Sequence, residues 1–223
     1  SRESSVGGLV DRVARTIDRA ARSWAELLES AFLTASGEVD VEAVAQAILR
    51  GDITAAAIEA VDPARLDEIA GAMLRQSLLL GRTSAAGGTV ATIAEPVRGA
   101  IERGISERAE SWAREQSGSL VSGLTETSRA GIREAIAAGV ARDEPADVLA
   151  RRIRPLVGLT DRQAMTVDRM RQAAIEQGTP PAGAQRAAER RARQRVRERA
   201  EASAQTETTR AVAEGRQDLW RDL

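Results

Sequence analysis

The chain has 223 residues and a formal net charge of −1, and it is long enough to bury one large core or two small ones. It contains no cysteine and no histidine, which excludes disulfides, thiol chemistry, zinc sites and histidine-based acid–base catalysis. Because aromatic residues make up only 2% of the chain, alanine and aliphatic side chains must pack the core. Such a composition favours helices over strands and predicts an all-α fold.

The charge is divided unequally along the chain. Residues 1–111 carry 12 arginines and 17 acids, whereas residues 112–223 carry 20 arginines and 16 acids. An acidic front half and a basic back half predict two surfaces with different partners. Every basic residue is arginine, which is typical of a GC-rich genome and is also suited to bidentate contacts with phosphate or carboxylate groups.

The N-terminal region shows a series of helix signals. Apolar residues recur at three- and four-residue steps over residues 8–35 and predict an amphipathic first helix. Asp40, Asp52 and Asp62 are predicted to cap three further helices, the last of which ends before Gly81. Three such helices in a row also fit a helix-turn-helix, but the third is too apolar and too poor in basic residues for a DNA groove. Ordinary helix packing is therefore the favoured interpretation.

A Gly-rich segment is predicted to divide the chain. Residues 81–94 read GRTSAAGGTVATIA and predict a hinge or linker, because a Gly-Gly pair among small polar residues interrupts helices. The segment lacks the lysine of a phosphate-binding GxxxxGK[ST] loop. We therefore expect an N-terminal helical region over residues 1–80 and a helical domain over residues 95–223, the latter beginning with a helix over about residues 95–116.

Sharper signals follow in the back half. Residues 120–139 predict a helix with one apolar face, and the next helix is expected to begin near Pro145 and to stop before Gly158. Thr160 has Gln163 three residues later, which predicts a capping box at the start of another helix.

The last predicted helix spans about residues 184–220 and would extend for about 50 Å. Such a length predicts an elongated multi-helix assembly with a long Arg-rich C-terminal helix. Seven arginines crowd into four turns and are expected to project in several directions: Arg186, Arg190, Arg191, Arg193, Arg195, Arg197 and Arg199. A solvated helix with internal Arg–Glu pairs and a contact with DNA or an acidic partner both remain open. No aromatic residue lies among these arginines to stack on a base, which disfavours single-strand recognition.

The C-terminal turns of this helix carry small residues on one face. They recur at positions 200, 204, 208, 211, 215 and 219. This spacing predicts close packing against another helix, and Trp220 is expected to anchor the end of the helix.

The other side of the same turns is polar. Glu207, Arg210 and Glu214 predict an ion-pair ladder, and the hydroxyls of Thr206 and Thr209 are expected to bond to carbonyls one turn earlier. These residues either stabilise the fold or bind a partner, and the fold is the favoured interpretation.

Catalysis has little support in the sequence. The acids are scattered and mostly lie near arginines, and a serine nucleophile would lack both histidine and lysine as a base. We therefore expect a non-enzymatic protein without a cofactor or a metal site. An enzyme that holds magnesium or calcium through carboxylates is the remaining alternative of this class. No window of about 18 apolar residues occurs, so no membrane segment is expected.

Four stretches of the back half resemble a known family when taken in order. They are LVSGLTETSRAGIREAIAAG, EPADVLARRIRP, GLTDRQAMTVDRMR and the Arg-rich helix that runs into QTET. Over residues 118–223 the chain resembles the phage head morphogenesis family, the minor head proteins similar to the F protein of phage Mu. The matching positions are Gly158, Leu159, Thr160, Arg162, Gln163, Ala164, Thr206, Glu207 and Thr208. The family usually has arginine where this chain has Gln205, and Arg210, one turn later, is the candidate replacement.

The resemblance implies a non-enzymatic virion protein, present in few copies at the portal vertex or in the head interior, and in the host cytoplasm during assembly. It implies roles in head assembly, DNA packaging or DNA ejection. The implied partners are the portal protein, major capsid or scaffold proteins, and genomic DNA bound without sequence preference. The small-residue face of the last helix is expected to pack on a second copy of the chain or on the portal protein. The alternative is an Arg-rich helical nucleic-acid-binding protein outside a virion, which would use the seven arginines.

Overall fold

The computed structural model describes residues 2–87 and 104–222, and within these ranges the chain forms helices and no β-strand. The α-helices are α1 (Arg2–Glu38), α2 (Val41–Leu49), α3 (Ile53–Glu59), α4 (Ala64–Gly87), α5 (Glu107–Val140), α6 (Ala146–Ile153), α7 (Asp161–Glu176) and α8 (Pro181–Arg221). A 3-10 turn, Arg154–Leu156, follows α6. The predicted all-α fold with a long C-terminal helix is confirmed. Over the described ranges, no helix combines the length and the apolar character needed to cross a membrane.

Aspartate side chains set the starts of three helices in the front half. Asp40 accepts a hydrogen bond from the amide of Ala43 at 3.0 Å, and Asp52 accepts one from Ala55 at 2.8 Å. Asp62 accepts from the first amide of α4 at 2.9 Å. Each carboxylate satisfies a backbone donor that has no partner inside its own helix, so the predicted caps are confirmed.

The prediction that α4 ends before Gly81 is wrong. The helix continues to Gly87, so residues 81–87 of the predicted hinge are helical. Gly81 does not end the helix. It allows α4 to pack closely on another segment, because a Cβ at this position would overlap the carbonyl of Val212. The rest of the predicted hinge, and the first part of the helix expected over residues 95–116, lie outside the described residues.

One helix replaces two predicted ones in the middle of the chain. We expected separate helices on either side of Ser117, whereas α5 runs through this position without interruption. Gly118 and Gly123 cost helix stability only modestly, about 1 kcal/mol each relative to alanine. Both sit in open space, while neighbouring apolar residues such as Ala113 and Val121 are buried. Burial of that apolar face outweighs the low helix propensity of two glycines.

The chain divides into two compact units. The first comprises the described residues within Ser1–Leu27, Asp67–Leu120 and Ala200–Leu223, and the second comprises Leu28–Leu66 and Val121–Arg199. The core of the first unit includes Met73, Leu74, Leu78, Ala113 and Leu219, and that of the second includes Phe32, Ile132, Ile136, Leu149 and Leu159. Aliphatic and alanine side chains dominate both cores, as the composition predicts.

Two glycines allow α4 and α8 to approach closely inside the first unit. A Cβ at Gly81 would overlap the carbonyl of Val212, and a Cβ at Gly215 would overlap the carbonyl of Leu78. Leu78 lies three residues before Gly81, and Val212 lies three residues before Gly215, so the two contacts are reciprocal. The small-residue face of α8 is buried, including Ala204, Ala211 and Leu219. The face packs closely against a helix, as predicted, but that helix is α4 of the same chain and not part of a second copy or of the portal protein, the partners expected for it.

Candidate functional site

The seven arginines of α8 fall into two rows inside the second unit. The outer row consists of Arg186, Arg190, Arg193 and Arg197, which are exposed. The inner row consists of Arg191, Arg195 and Arg199, which are half-buried. At 100° per residue, steps of four and three place each row on one side of the helix, and the two rows lie opposite each other. The arginines do project in more than one direction, but the fully exposed charge is concentrated on a single face.

Apolar packing determines which arginines turn inward. Ala184, Ala188, Ala192 and Val196 recur at four-residue steps and are buried. They lie on the same side of α8 as the inner row, so burial of these small side chains fixes the rotation of the helix about its axis. The outer row is thereby directed to solvent.

Arg199 of the inner row bonds to the core of the second unit. Its guanidinium donates to the carbonyl oxygens of Gly158 at 2.7 Å and Leu124 at 3.2 Å. It also donates to the hydroxyls of Thr127 at 2.5 Å and Ser128 at 3.2 Å. Burial lowers the pKa of Arg199 to about 10. This residue therefore joins α5, α8 and the turn before α7, and it is not available as a surface contact.

Gly158 occupies a position that no other residue suits. Its φ of +86° lies in the left-handed region, and a Cβ there would come within 2.8 Å of the Phe32 ring. The guanidinium carbon of Arg199 lies 5.7 Å from the centroid of the same ring, within cation–π distance. The first residue of the GLTDRQA stretch thus supports the fold by bringing backbone close to an aromatic ring.

The remainder of the GLTDRQA stretch starts α7. The Thr160 hydroxyl accepts from the Gln163 amide at 3.3 Å, and the Gln163 side chain accepts from the Thr160 amide at 3.1 Å. The predicted capping box is therefore confirmed. Leu159 and Ala164 are fully buried, whereas Arg162 is exposed. Apart from Arg162, these matched residues support the turn into α7.

A buried ion-pair network holds α6 against α7, and sequence analysis did not identify it. Arg152 donates to both carboxylate oxygens of Asp168, at 2.7 and 2.9 Å, and to the carbonyl of Ala135 at 3.0 Å. It also pairs with Glu144. Burial raises the pKa of Glu144, but hydrogen bonds from Arg142 and Arg152 lower it by more, so the net pKa lies below its ordinary value. The partners are distant in sequence, and no local spacing signals them.

The QTET element belongs to the first unit and contributes to its packing. Thr208 is fully buried, and Glu207, 8% exposed, accepts a hydrogen bond from Gln116 at 3.1 Å. Arg210 lies 3.7 Å from Glu207, as the predicted ladder requires. The exposed hydroxyl of Thr206 bonds to the carbonyl one turn earlier at 2.9 Å, and that of Thr209 does so at 2.8 Å, as predicted.

The end of α8 departs from the predicted ladder and anchor. Glu214 pairs with Arg221 at 2.9 Å instead of continuing the ladder to Arg210. Trp220 is 64% exposed, so the expectation that it anchors the helix is wrong. The neighbouring residues Asp218 and Leu219 are buried and hold this end of the helix.

The outer row places several exposed arginines of α8 on one face of the helix. Among the described residues, Arg186, Arg190 and Arg193 form no hydrogen bond or ion pair, while Arg197 is exposed on the same face. Arg191 and Arg195 of the inner row instead bond along the helix, to Gln194 at 2.8 Å and to Glu198 at 2.6 Å. The outer row is therefore a candidate surface for an anionic partner.

Comparisons of the chain with protein-family models, curated proteins and solved structures found no match. The resemblance to the phage head morphogenesis family therefore stays a prediction from the sequence. The structure gives positions to the residues on which that resemblance rests. Residues 158–164 lie in the second unit, and residues 206–210 lie in the first.

Proposed function

We propose that this protein is a non-enzymatic minor head protein of a phage, which binds at the portal vertex or in the head interior. There it would support head assembly, DNA packaging or DNA ejection. The structural observation that carries a binding role is the outer row of α8, and the sequence resemblance supplies the phage context. A row of exposed cations, in which Arg186, Arg190 and Arg193 pair with no acid among the described residues, is suited to a partner that supplies negative charge.

The outer row has the dimensions of a contact with one anionic surface. Arg186 and Arg197 are separated by 11 residues, which corresponds to about 16 Å along the helix axis. Guanidinium groups form bidentate hydrogen bonds with carboxylates and phosphates alike. Because the inner row and the buried alanines fix the rotation of α8, the outer row is presented without a conformational change of the helix.

The portal protein is the primary partner that we propose, with an acidic surface of that protein as the contact. Genomic DNA is the second partner, bound through its phosphates without sequence preference. The alternative function, a nucleic-acid-binding protein outside a virion, would use the same row on phosphates. The two functions differ in the partner they require, so binding experiments separate them.

Co-expression with the portal protein encoded in the same genome tests the proposal. We expect the full chain to co-purify with the portal at near-physiological salt, where the Debye length is about 8 Å. Arg190→Glu should abolish this co-purification, because it reverses one charge at the centre of the outer row. Arg169→Glu is the matched control, since Arg169 is also exposed and lies on α7, outside the row. Failure of the wild-type chain to co-purify, or equal behaviour of the two variants, would contradict the proposal.

Titration with duplex DNA separates the alternative. If the four arginines of the outer row neutralised four phosphates, affinity would fall about 150-fold between about 50 and 200 mM salt. Salt-dependent DNA binding of this size, together with no portal association, would favour the nucleic-acid-binding protein. Portal association without such binding would support the assembly protein.

A further inference from the structure

An open cavity of about 840 Å³ lies within the second unit. The end of α1, the end of α6 with its 3-10 turn, α7 and the N-terminal turns of α8 line it. Leu33, Val148, Val157 and Val196 give it an apolar wall. Its volume lies in the range of small-molecule sites, about 300–1,000 Å³.

The polar lining of the cavity is strongly basic. Arg151, Arg152, Arg154, Arg171 and Arg193 line it. Arg151 and Arg152 are paired with carboxylates of the same unit. The other three arginines are not neutralised to the same degree, and they decide what the cavity can hold.

Arg154 and Arg193 bring positive charge to the cavity without a carboxylate partner. Arg154 donates to the carbonyl oxygens of Ser36 at 2.7 Å and Gly37 at 2.8 Å, which orients its side chain but leaves its charge uncompensated. Arg193 is exposed and forms no hydrogen bond or ion pair with the described residues. The carboxylate of Glu189, also in the lining, accepts from Gln185 at 3.3 Å.

Arg171 is the most informative residue of the lining. It is 8% exposed, yet its Nε and Nη2 atoms are buried without a hydrogen-bond acceptor. The nearest carboxylate oxygens, those of Glu144 and Asp168, lie 3.5 and 3.7 Å away. Burial lowers its pKa, and the charge of Arg152 lowers it further. Both atoms face these carboxylates and are closed to solvent, so a ligand in the cavity would contact Arg171 through the remaining guanidinium nitrogen, Nη1.

The first turn of α8 adds to this positive field. Pro181 and Ala182 line the cavity at the N-terminus of a helix of 41 residues. Pro181 has no amide hydrogen, and the amides of Gly183 and Ala184 donate to the carbonyl of Pro180 at 2.8 and 3.0 Å. The helix dipole and the amide of Ala182 are therefore what favours an anion here. The charge of the arginines and that of the helix end therefore converge on one space.

We propose that this cavity binds a small organic oxyanion, a phosphate or carboxylate group on an apolar body. Arg171 and Arg193 hold the oxygen atoms, and the aliphatic wall covers the body. This site goes beyond the proposed assembly function and does not depend on it, because neither a portal protein nor DNA is required to fill the cavity.

Calorimetric titration of the full chain tests the proposal with three probes. Phenyl phosphate and phenylacetate supply the two anions on the same ring, and benzyl alcohol supplies the ring without a charge. We expect saturation of one site by at least one anion and no saturation by benzyl alcohol. If only phenyl phosphate binds, the site selects phosphate, and if only phenylacetate binds, it selects carboxylate. Absence of saturation by either anion up to about 10 mM would overturn the proposal.

Two arginines of the same helix form a matched pair for this test. Arg193→Ala removes a cation from the lining and should weaken the binding of the anion by about tenfold, the loss typical of one charge-assisted hydrogen bond. Arg190→Ala removes an equally exposed cation outside the lining and should leave affinity unchanged. Equal weakening by both variants would mean non-specific attraction and would overturn the site.

Arg171→Lys probes the buried donor directly. Lysine retains the charge beside Glu144 and Asp168 but lacks the planar fork, so we expect weaker anion binding with the fold retained. If this variant fails to fold, the comparison of anion affinity between Arg193→Ala and Arg190→Ala tests the site instead. Loss of portal binding in Arg190→Glu with normal anion affinity would show that the two sites fail independently.

Discussion

An arginine of this chain stabilises the fold or faces solvent according to the side of its helix on which it lies. Arg199 is held by four oxygen acceptors, while Arg190, nine residues earlier on the same helix, has none among the described residues. From their spacing in the sequence alone, Arg199 and Arg190 were both predicted to belong to one surface that contacts DNA or an acidic partner. The distinction depends on which side of α8 is buried, and burial is decided by elements far away in the sequence.

A second buried cluster, in the first unit, controls the end of α8. Asp218 pairs with Arg82 and accepts a hydrogen bond from the Ser106 hydroxyl, and Asp222 lies 2.7 Å from Arg82. Burial raises the pKa of Asp218, but the hydrogen bonds from Ser106 and Arg82 lower it by more. The net pKa of Asp218 therefore lies below its ordinary value.

This depressed pKa predicts a loss of stability in acid. In the unfolded chain Asp218 takes up its proton at a higher pH than in the folded chain, so its contribution is fully present above the unfolded pKa. That contribution is lost as the pH falls through the folded pKa. Asp218→Asn should lower the free energy of unfolding at neutral pH by about 3 kcal/mol, because Arg82 loses the more deeply buried of its two carboxylate partners and keeps only Asp222. It should also reduce the acid-dependent loss.

Denaturant unfolding at a series of pH values provides the measurement. Asp147→Asn is the control, since the ion pair of Asp147 with Arg151 is exposed and worth about 0–1 kcal/mol. Equal losses in the two variants at neutral pH, or an unchanged acid dependence in Asp218→Asn, would show that the buried pair does not contribute as described.

At the scale of elements, the sequence predicts helix starts better than helix ends. Asp40, Asp52 and Thr160 are recognisable because a cap is local chemistry, a side-chain oxygen beside a backbone amide. A helix end was expected before Gly81 and a break between helices around Ser117, and yet both positions lie inside helices. Glycine marks a helix end, a close contact or neither, and only the position of the neighbouring helix distinguishes these cases.

Two glycine substitutions test this distinction. Gly215→Ala should lower the free energy of unfolding by about 1–3 kcal/mol, because the new Cβ meets the carbonyl of Leu78, a backbone atom that cannot move aside cheaply. Gly118→Ala should raise it by about 0.5–1 kcal/mol, because the added Cβ meets open space and alanine favours the helix. Thermal and denaturant unfolding measure both, and effects of the same sign would contradict the packing described for α8.

The candidate sites were predictable only in part. The arginines of α8 and the capping box of α7 follow from local spacing. The network around Arg152 and the cavity around Arg171 do not, because their members come from segments separated by more than a helical turn and are joined only by the fold. The exposure of Trp220 was not predictable for the same reason. Its apolar character does not show which side of the helix end packs against other elements.

At the scale of the molecule, each unit combines segments that are distant in sequence. The outer row of α8 and the basic cavity both lie in the second unit, and the QTET element lies in the first. The acidic front half and the basic back half of the sequence therefore do not correspond to the two units. The partner binding that we propose therefore involves a surface of the second unit and not one half of the sequence.

Analysis of purified virions tests the proposed function most directly. Localised cryo-electron microscopy reconstruction at the portal vertex, with mass spectrometry of the same particles, measures both position and copy number. The minor head protein assignment predicts that the chain is present in few copies, with the helical density of α8 beside the portal or within the head interior. Absence of the chain from particles that contain portal and capsid proteins would contradict it.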